Sequence, residues 1–259
     1  MHIADNVVLL AETIDTLQLS LSSMDEETKP LGLKINWVKT KLQTLSDFVD
    51  CGESLGLNGE RLSFVDRFTY LGSDFDKSCR SAPDVARRMG IAGGVMKSLD
   101  RSVWRNRHLS LATKLRAYNS FVLPVLLYGS ETWTCTKELR RILDAFMTRS
   151  LRRILGIRWF DRVTNQWILD TTRQRPVSAL VSERQVRYFG HVARMSPREP
   201  TSRILRATPR RGWRRPRGRP RARWSDQIIR LSGQGTLSRA LDAAQDRVLW
   251  RDVVRAATR

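Results

Sequence analysis

The residues best placed to do chemistry open the chain. Ile3-Ala4-Asp5-Asn6 precede the apolar run Val7-Val8-Leu9-Leu10. Asp-Asn is a turn-forming pair, and β-branched residues with no breaker predict a strand over the run that follows. A carboxylate on a turn before a buried strand is placed to hold a metal ion. Two-metal phosphoryl transfer asks for more, namely several carboxylates converging on ions about 3.5–4 Å apart. Asp5 supplies one. Asn6 beside it offers a neutral carbonyl where that chemistry wants an anion. Taken alone, the pair reads as a plain turn.

The second informative segment is 210–224, where Arg217-Gly218-Arg219-Pro220 is flanked by Arg215, Pro216 and Arg221. Arginines around a glycine suit the narrow minor groove of A·T-rich DNA, where the negative potential is enhanced. Glycine permits close approach, and the prolines hold the flanks extended. The same residues suit a linker that touches RNA or DNA phosphates without base preference, and the spacing leaves both readings open. Trp213 and Trp224 are candidates for base stacking, although tryptophan serves cores more often.

Three cysteines (Cys51, Cys79, Cys135) and three histidines (His2, His108, His191) show no paired ligand spacing, so no zinc site is expected. Three thiols make no complete disulfide framework, which points to a reducing compartment. No phosphate-loop, dinucleotide or nucleophile-elbow motif is present, so no small-molecule cofactor is expected.

Around these residues the charge is lopsided. The 259 residues carry a formal net charge of +20. Residues 1–100 hold 11 basic and 15 acidic side chains, whereas 101–259 hold 35 basic and 11 acidic. Only Lys114 and Lys137 are lysines in the second part; the rest is arginine, which makes bidentate phosphate contacts and stacks on bases. A half this basic predicts a polyanionic partner, nucleic acid above all. No membrane partner is expected. The longest apolar run, Phe121 to Tyr128, is interrupted by Pro124 and falls far short of the roughly 20 residues of a membrane-spanning helix. The start of the chain shows no signal-peptide pattern.

The elements that must position these groups are legible in outline. Ile14, Leu17, Leu21, Met24, Thr28 and Leu31 step by three and four, predicting a helix ended by Pro30 and Gly32. Short strands are expected between Glu53 and Ser73, with Asn58-Gly59 as a hairpin turn. From Ala82 onward the pattern is helical, with Ser81 as cap and Pro83 in the first turn. Leu111, Leu115, Tyr118 and Val122 mark a helix stopped by Pro124. Leu139, Ile142, Leu143, Phe146, Ser150, Leu151 and Ile154 mark another, with Arg140, Arg141, Arg149, Arg152 and Arg153 on its other face. Further helices are expected near Glu183–Met195 and from a cap at Asp246 through Val253. The Arg, Pro and Gly composition of 197–223 marks a segment with no core of its own.

In order along the chain, these motifs resemble the reverse transcriptases of non-LTR retrotransposons. Ala4-Asp5-Asn6-Val7-Val8-Leu9-Leu10-Ala11 resembles the family's catalytic hairpin and following strand. Gly32-Leu33-Lys34-Ile35-Asn36 with Lys39-Thr40-Lys41 resembles the next palm motif. Phe68-Thr69-Tyr70-Leu71-Gly72 resembles the strand at the palm–thumb border. Tyr128-Gly129-Ser130-Glu131-Thr132-Trp133 resembles a helical segment beyond it. Gly190-His191-Val192, and Gly218-Arg219-Pro220 with Trp224-Ser225-Asp226, resemble segments of the family's C-terminal part.

The resemblance implies an α+β fold: a partial palm of short antiparallel strands plus helix over 1–80, a helical thumb or connection region over 81–195, a basic linker over 196–224 and a helical segment over 225–259. It implies Mg²⁺ in the parent activity, RNA-directed DNA synthesis, with Asp5 as ligand and Asn6 at the degenerate second carboxylate position. Lys39 and Lys41 would approach substrate phosphate, or remain loop charges. Tyr70 and Gly72 would help hold the primer end. Arg215, Arg217, Gly218, Arg219, Arg221 and Trp224 would contact nucleic acid. Fingers and the earlier palm aspartate are absent from this sequence and Asn6 replaces an aspartate, so polymerisation is not expected and Mg²⁺ binding would be weak at best. The competing expectation is a non-enzymatic nucleic-acid binder acting through its basic half. Charge and resemblance together predict an intracellular protein, nuclear rather than cytoplasmic.

Overall fold

The computed structural model describes residues 7–44, 56–57, 60–208, 214, 217–218 and 222–257. Asp5-Asn6, Asn58-Gly59, Trp213, Cys51, Arg215, Arg219 and Arg221 lie outside these residues. The chain is α+β and divides into two compact units, 1–84 and 85–259.

In the first unit α1 runs Ile14–Thr28. Thr13 caps it by accepting from the Thr16 N–H at 3.2 Å, and an Asp25–Lys29 ion pair of 2.8 Å closes its end. Pro30 sits in the 3₁₀ turn that follows, and Gly32, at φ 72°, stops it in the left-handed conformation that ends many helices. Among the described residues Leu21 of α1 meets Leu42 and Leu62 in a small buried core rimmed by Leu9, Ile14, Leu17, Ile35, Trp37 and Phe64.

The strands are short and come as three separate pairs. β1 (Lys41–Leu42) pairs in parallel with β4 (Ser63–Phe64), β2 (Gly56–Leu57) antiparallel with β3 (Glu60–Arg61), and β5 (Arg67–Tyr70) antiparallel with β6 (Ser73–Asp76). One pair is thus parallel where only antiparallel pairing was expected. About twenty residues separate β1 from β4, enough for the crossover that parallel pairing requires. The expected strand at Val7–Leu10 does not form: these residues carry no regular structure, and Val7 and Leu10 are exposed. A strand exists only through its hydrogen-bonded neighbour, and no described segment pairs with this run.

The second unit is helical. α2 (Ala82–Ser98) runs into a π-turn at Asp100–Trp104, and α3 (Leu111–Ala117) into another at Tyr118–Val122. Pro124 does not stop the chain here. It sits in the first turn of α4 (Leu123–Leu126), directly after the π-turn. Proline lacks an N–H and clashes with the carbonyl four residues back; the wider turn before it lets the Leu123 N–H reach the Tyr118 carbonyl instead. Ser130–Thr132 forms a 3₁₀ turn rather than a longer helix, entered through Gly129 at φ 72°.

α5 (Lys137–Leu155) begins at a Thr136 cap and ends at Gly156, φ 73°. Its buried stripe, Leu143, Phe146, Met147, Ser150, Leu151 and Ile154, follows the expected spacing. α6 (Asn165–Thr172), α7 (Val177–Ala193), α8 (Pro200–Arg206), α9 (Trp224–Ser232), α10 (Leu237–Ala243) and α11 (Arg247–Ala256) complete the unit. α7 starts six residues earlier than its sequence pattern suggested, and the reason is tertiary. Val177 and Val181 are fully buried in one core with α2 to α6, whereas Val186, Phe189 and Ala193 are buried in a second core with α9, α10 and α11. Helices α9, α10 and α11 therefore share a core with α7. Among the described residues no helix is long and apolar enough to cross a membrane.

Candidate functional site

The structure disperses the residues singled out by sequence. Lys39 is exposed, its backbone N–H held in a turn by the Asn36 side chain and carbonyl. The Lys41 Nζ donates to Ser63 Oγ at 3.0 Å across the β1–β4 pair. Tyr70 and Gly72 bound the β5–β6 hairpin. Leu71 (φ 44°) and Gly72 (φ 81°) are both left-handed, the two-residue turn that matches strand twist and favours glycine. The Tyr70 ring meets Phe75 edge-on at 6.5 Å. The Gln43 side chain donates to the Asp66 and Phe75 carbonyls, tying the end of β1 to this hairpin. Lys41, Tyr70 and Gly72 thus belong to one small strand assembly. Of the basic segment, Arg217 and Gly218 are exposed, with Gly218 at φ 106°.

Trp224 is spent on packing. Its ring lies 6.1 Å from both Tyr188 and Phe189, and its indole N–H donates to the Glu131 carbonyl at 2.8 Å. The half-buried ring meets Tyr188 edge-on and Phe189 at a tilt of 39°, so packing and the hydrogen bond hold it in place. The Gly190-His191-Val192 motif also has a packing basis. A Cβ built on Gly190 would lie 2.3 Å from the Trp250 ring, whose N–H donates to the Val186 carbonyl at 2.9 Å. Only glycine admits that ring.

Several arginines are tied to acceptors inside the second unit. Arg140 donates to the Ser178 carbonyl and to Ser182 Oγ, Arg184 to the Leu127 carbonyl at 2.7 Å, and Arg206 to the Ala193 carbonyl. Arg152 bonds the Val163 carbonyl. Asp100 takes both Arg153 and Arg105, and the Arg153 hydrogen bond holds its carboxyl below the usual range. Of the five α5 arginines expected to form a cationic face, Arg140, Arg141, Arg152 and Arg153 have intramolecular partners.

One further group of arginines is gathered in a cleft. A cleft of about 940 Å³ is bounded by α7 and α11. Six arginines line it, Arg175 and Arg187 and Arg194 from the α7 side and Arg247, Arg251 and Arg255 from α11, against one carboxylate, Glu183. The local sequence explains the array. Asp246 caps α11 by accepting from the Val248 and Leu249 N–H groups. Trp250 and Val254, four apart, bury one face, and Arg247, Arg251 and Arg255, also four apart, line the cleft beside them. Arg187, His191 and Arg194 share the facing side of α7. Glu183 pairs with Arg175 and Arg187 at 2.9 and 2.5 Å. Arg247 and Arg251 have no carboxylate partner among the described residues. Arg194 donates to the Ala244 carbonyl at 2.6 Å; burial, then the nearby Arg247, hold it below its ordinary value. Sequence reasoning passed over this cleft in favour of 210–224, although the four-residue arginine step in 247–255 was there to be read.

The thiols differ sharply. Cys135 is buried, and burial pushes its thiol up to about 11 despite Arg140, whereas Cys79 is exposed. The thiolate is the reactive form, and an ordinary thiol has a pKa of about 8.5. Iodoacetamide at about that pH is expected to label Cys79 in the native chain and Cys135 only after denaturation, read by peptide mass spectrometry. Equal native labelling would mean that the loop carrying Cys135 opens readily.

The fold and the cleft define an α+β chain with a strongly basic helical unit. No family model matches it, and no solved structure does. It is similar to an uncharacterised transposon-derived protein of Caenorhabditis elegans, 27% identical, in an alignment spanning all of this chain and 95% of that protein. Likeness from end to end supports a transposon-related origin for the chain.

Proposed function

We propose that the chain derives from the reverse transcriptase of a non-LTR retrotransposon and acts as a nucleic-acid-binding protein without polymerase activity. The observation that carries this reading is the ordered set of motifs, from Asp5-Asn6 to Trp224-Ser225-Asp226, in a chain similar throughout to a transposon-derived protein. Residues 1–80 would be the palm remnant, 81–195 the thumb or connection region, and 196–224 the basic linker before the C-terminal helices. Nuclear location follows from the same reading.

The donor set does not fit a two-metal site. Mg²⁺ can be held by one or two carboxylates plus substrate phosphates, but Asn6 contributes a neutral amide beside Asp5. No catalytic step through Mg²⁺ is therefore assigned to this chain. Lys39, Lys41, Tyr70 and Gly72 would keep contacts to nucleic acid inherited from the parent enzyme, and Arg215, Arg217, Gly218, Arg219 and Arg221 would add phosphate contacts. A primer-extension assay on an RNA template with Mg²⁺ is expected to give no product above background. Product formation would overturn the reading of inactivity.

The AT-hook-like alternative is favoured by the exposed Arg217-Gly218 pair and the φ of 106° at Gly218, a conformation that only glycine adopts freely. It predicts preference for A·T-rich over G·C-rich duplex in competition, whereas a phosphate-reading linker shows none.

A further inference from the structure

We propose that the cleft between α7 and α11 is a binding site for the phosphodiester backbone of a nucleic acid, with Arg247 and Arg251 as its principal phosphate contacts. This rests on the reading that the chain binds nucleic acid, and it moves the main contact from the 210–224 segment to a structured site. Three observations support it. First, the cleft gathers six guanidiniums against one carboxylate, and that carboxylate, Glu183, is already engaged by Arg175 and Arg187. Like charges so gathered repel, and a bound polyanion relieves that repulsion.

Second, Arg187 sits on α7 and Arg247, Arg251 and Arg255 sit on α11. α11 is anchored through Trp250 and Val254 in the core and capped by Asp246. Its arginines recur every four residues, a rise of about 6 Å along the helix axis. That is a linear row of cations, matched to a ligand whose charges also recur in a line. Third, the first two members of the α11 row, Arg247 and Arg251, have no carboxylate partner among the described residues, and Arg194, held by the Ala244 carbonyl, lines the same cleft. Guanidinium forks suit phosphate oxygens and carry no base preference by themselves, so the site reads backbone and not sequence.

The test is binding of the full chain to a labelled DNA duplex, and to a single-stranded RNA, across a salt series. Each phosphate contact adds about 0.9 to the log–log salt slope on B-DNA and about 0.7 on a single strand. The double variant Arg247→Ala/Arg251→Ala is therefore expected to lower the DNA slope by about 1.8 and the affinity about 30-fold at about 0.15 M salt. Two unrelated duplex sequences should lose affinity equally. Arg247→Lys/Arg251→Lys keeps the charge and should keep most of the slope, which separates lost phosphate contacts from damaged folding. If the alanine variant binds like wild type while Arg217→Ala/Arg219→Ala loses binding, the cleft proposal is overturned and the nucleic-acid reading stands. If the wild-type chain shows no salt-dependent binding, both fall.

Discussion

Gly190→Ala is expected to destabilise the second unit by about 3 kcal/mol or more, an overpacking cost at the upper end of the usual range. The added methyl would sit 2.3 Å from both Cδ1 and Nε1 of Trp250, far inside contact distance. Neither partner can yield cheaply. Gly190 is helix backbone in the last turn of α7, and the indole is held in place by the hydrogen bond from that same Nε1 to the Val186 carbonyl and by the Phe189 ring at 5.4 Å. Relief would require Trp250 to leave the second core, and removing a buried tryptophan costs about 3–5 kcal/mol by itself. Urea denaturation followed by tryptophan emission measures the loss. Trp250→Ala should cost a similar amount, and the Gly190→Ala/Trp250→Ala double variant clearly less than both together, because the methyl then fills part of the space the ring left. Additive costs would show that the close approach is not the reason for this glycine.

The second large effect lies at Gln227. Its buried side-chain amide forms a two-way pair with the backbone of Cys135, accepting from the Cys135 N–H at 3.1 Å and donating to the Cys135 carbonyl at 2.6 Å. The segment that it holds, 129–136, is pinned again by the Gln185 side chain donating to the Trp133 carbonyl and by Trp224 donating to the Glu131 carbonyl. Gln227→Ala leaves two buried backbone groups without partners at about 1–3 kcal/mol each, so a loss of about 2–6 kcal/mol is expected. Gln227→Glu is the sharper test. An ionised carboxylate there would face the Cys135 carbonyl, whereas a protonated one restores the donor. Its pKa in the folded state is therefore expected to rise above the unfolded value. The variant's stability relative to wild type is then recovered at low pH and lost as pH rises through the folded pKa. A pH-independent deficit would mean that the side chain is not paired as described. Native labelling of Cys135 in Gln227→Ala reports the same loosening chemically.

Two features singled out in sequence, Gly190-His191-Val192 and Trp224, have packing roles in three dimensions. Gly190-His191-Val192 is a motif because a tryptophan sixty residues on needs the space above Gly190. Trp224 was a candidate for base stacking, and the structure gives its ring to Tyr188 and Phe189 and its N–H to Glu131. Burial converts such residues from candidate ligand contacts into packing, and nothing local to them distinguishes the two uses.

The sequence by itself determined the class of the fold, most helix positions and the division of charge. The periodicity of α1, α5 and α11, the Asp246 cap and the glycine stop at Gly32 are local properties, set by side-chain spacing and by backbone groups satisfied within a few residues. The tertiary structure decided the rest. It left Val7–Leu10 without a partner and thus without a strand. It carried the helix past Pro124 by way of a π-turn. It placed one end of α7 in each of two cores, and it brought arginines of α7 and α11 together along one cleft while tying others to internal carbonyls and carboxylates. The π-turn at Pro124 is a local adjustment, with the Leu123 N–H bonded to the Tyr118 carbonyl five residues back; the other three share one physical reason, a group distant in sequence that supplies or denies a hydrogen bond, a packing surface or a counter-charge.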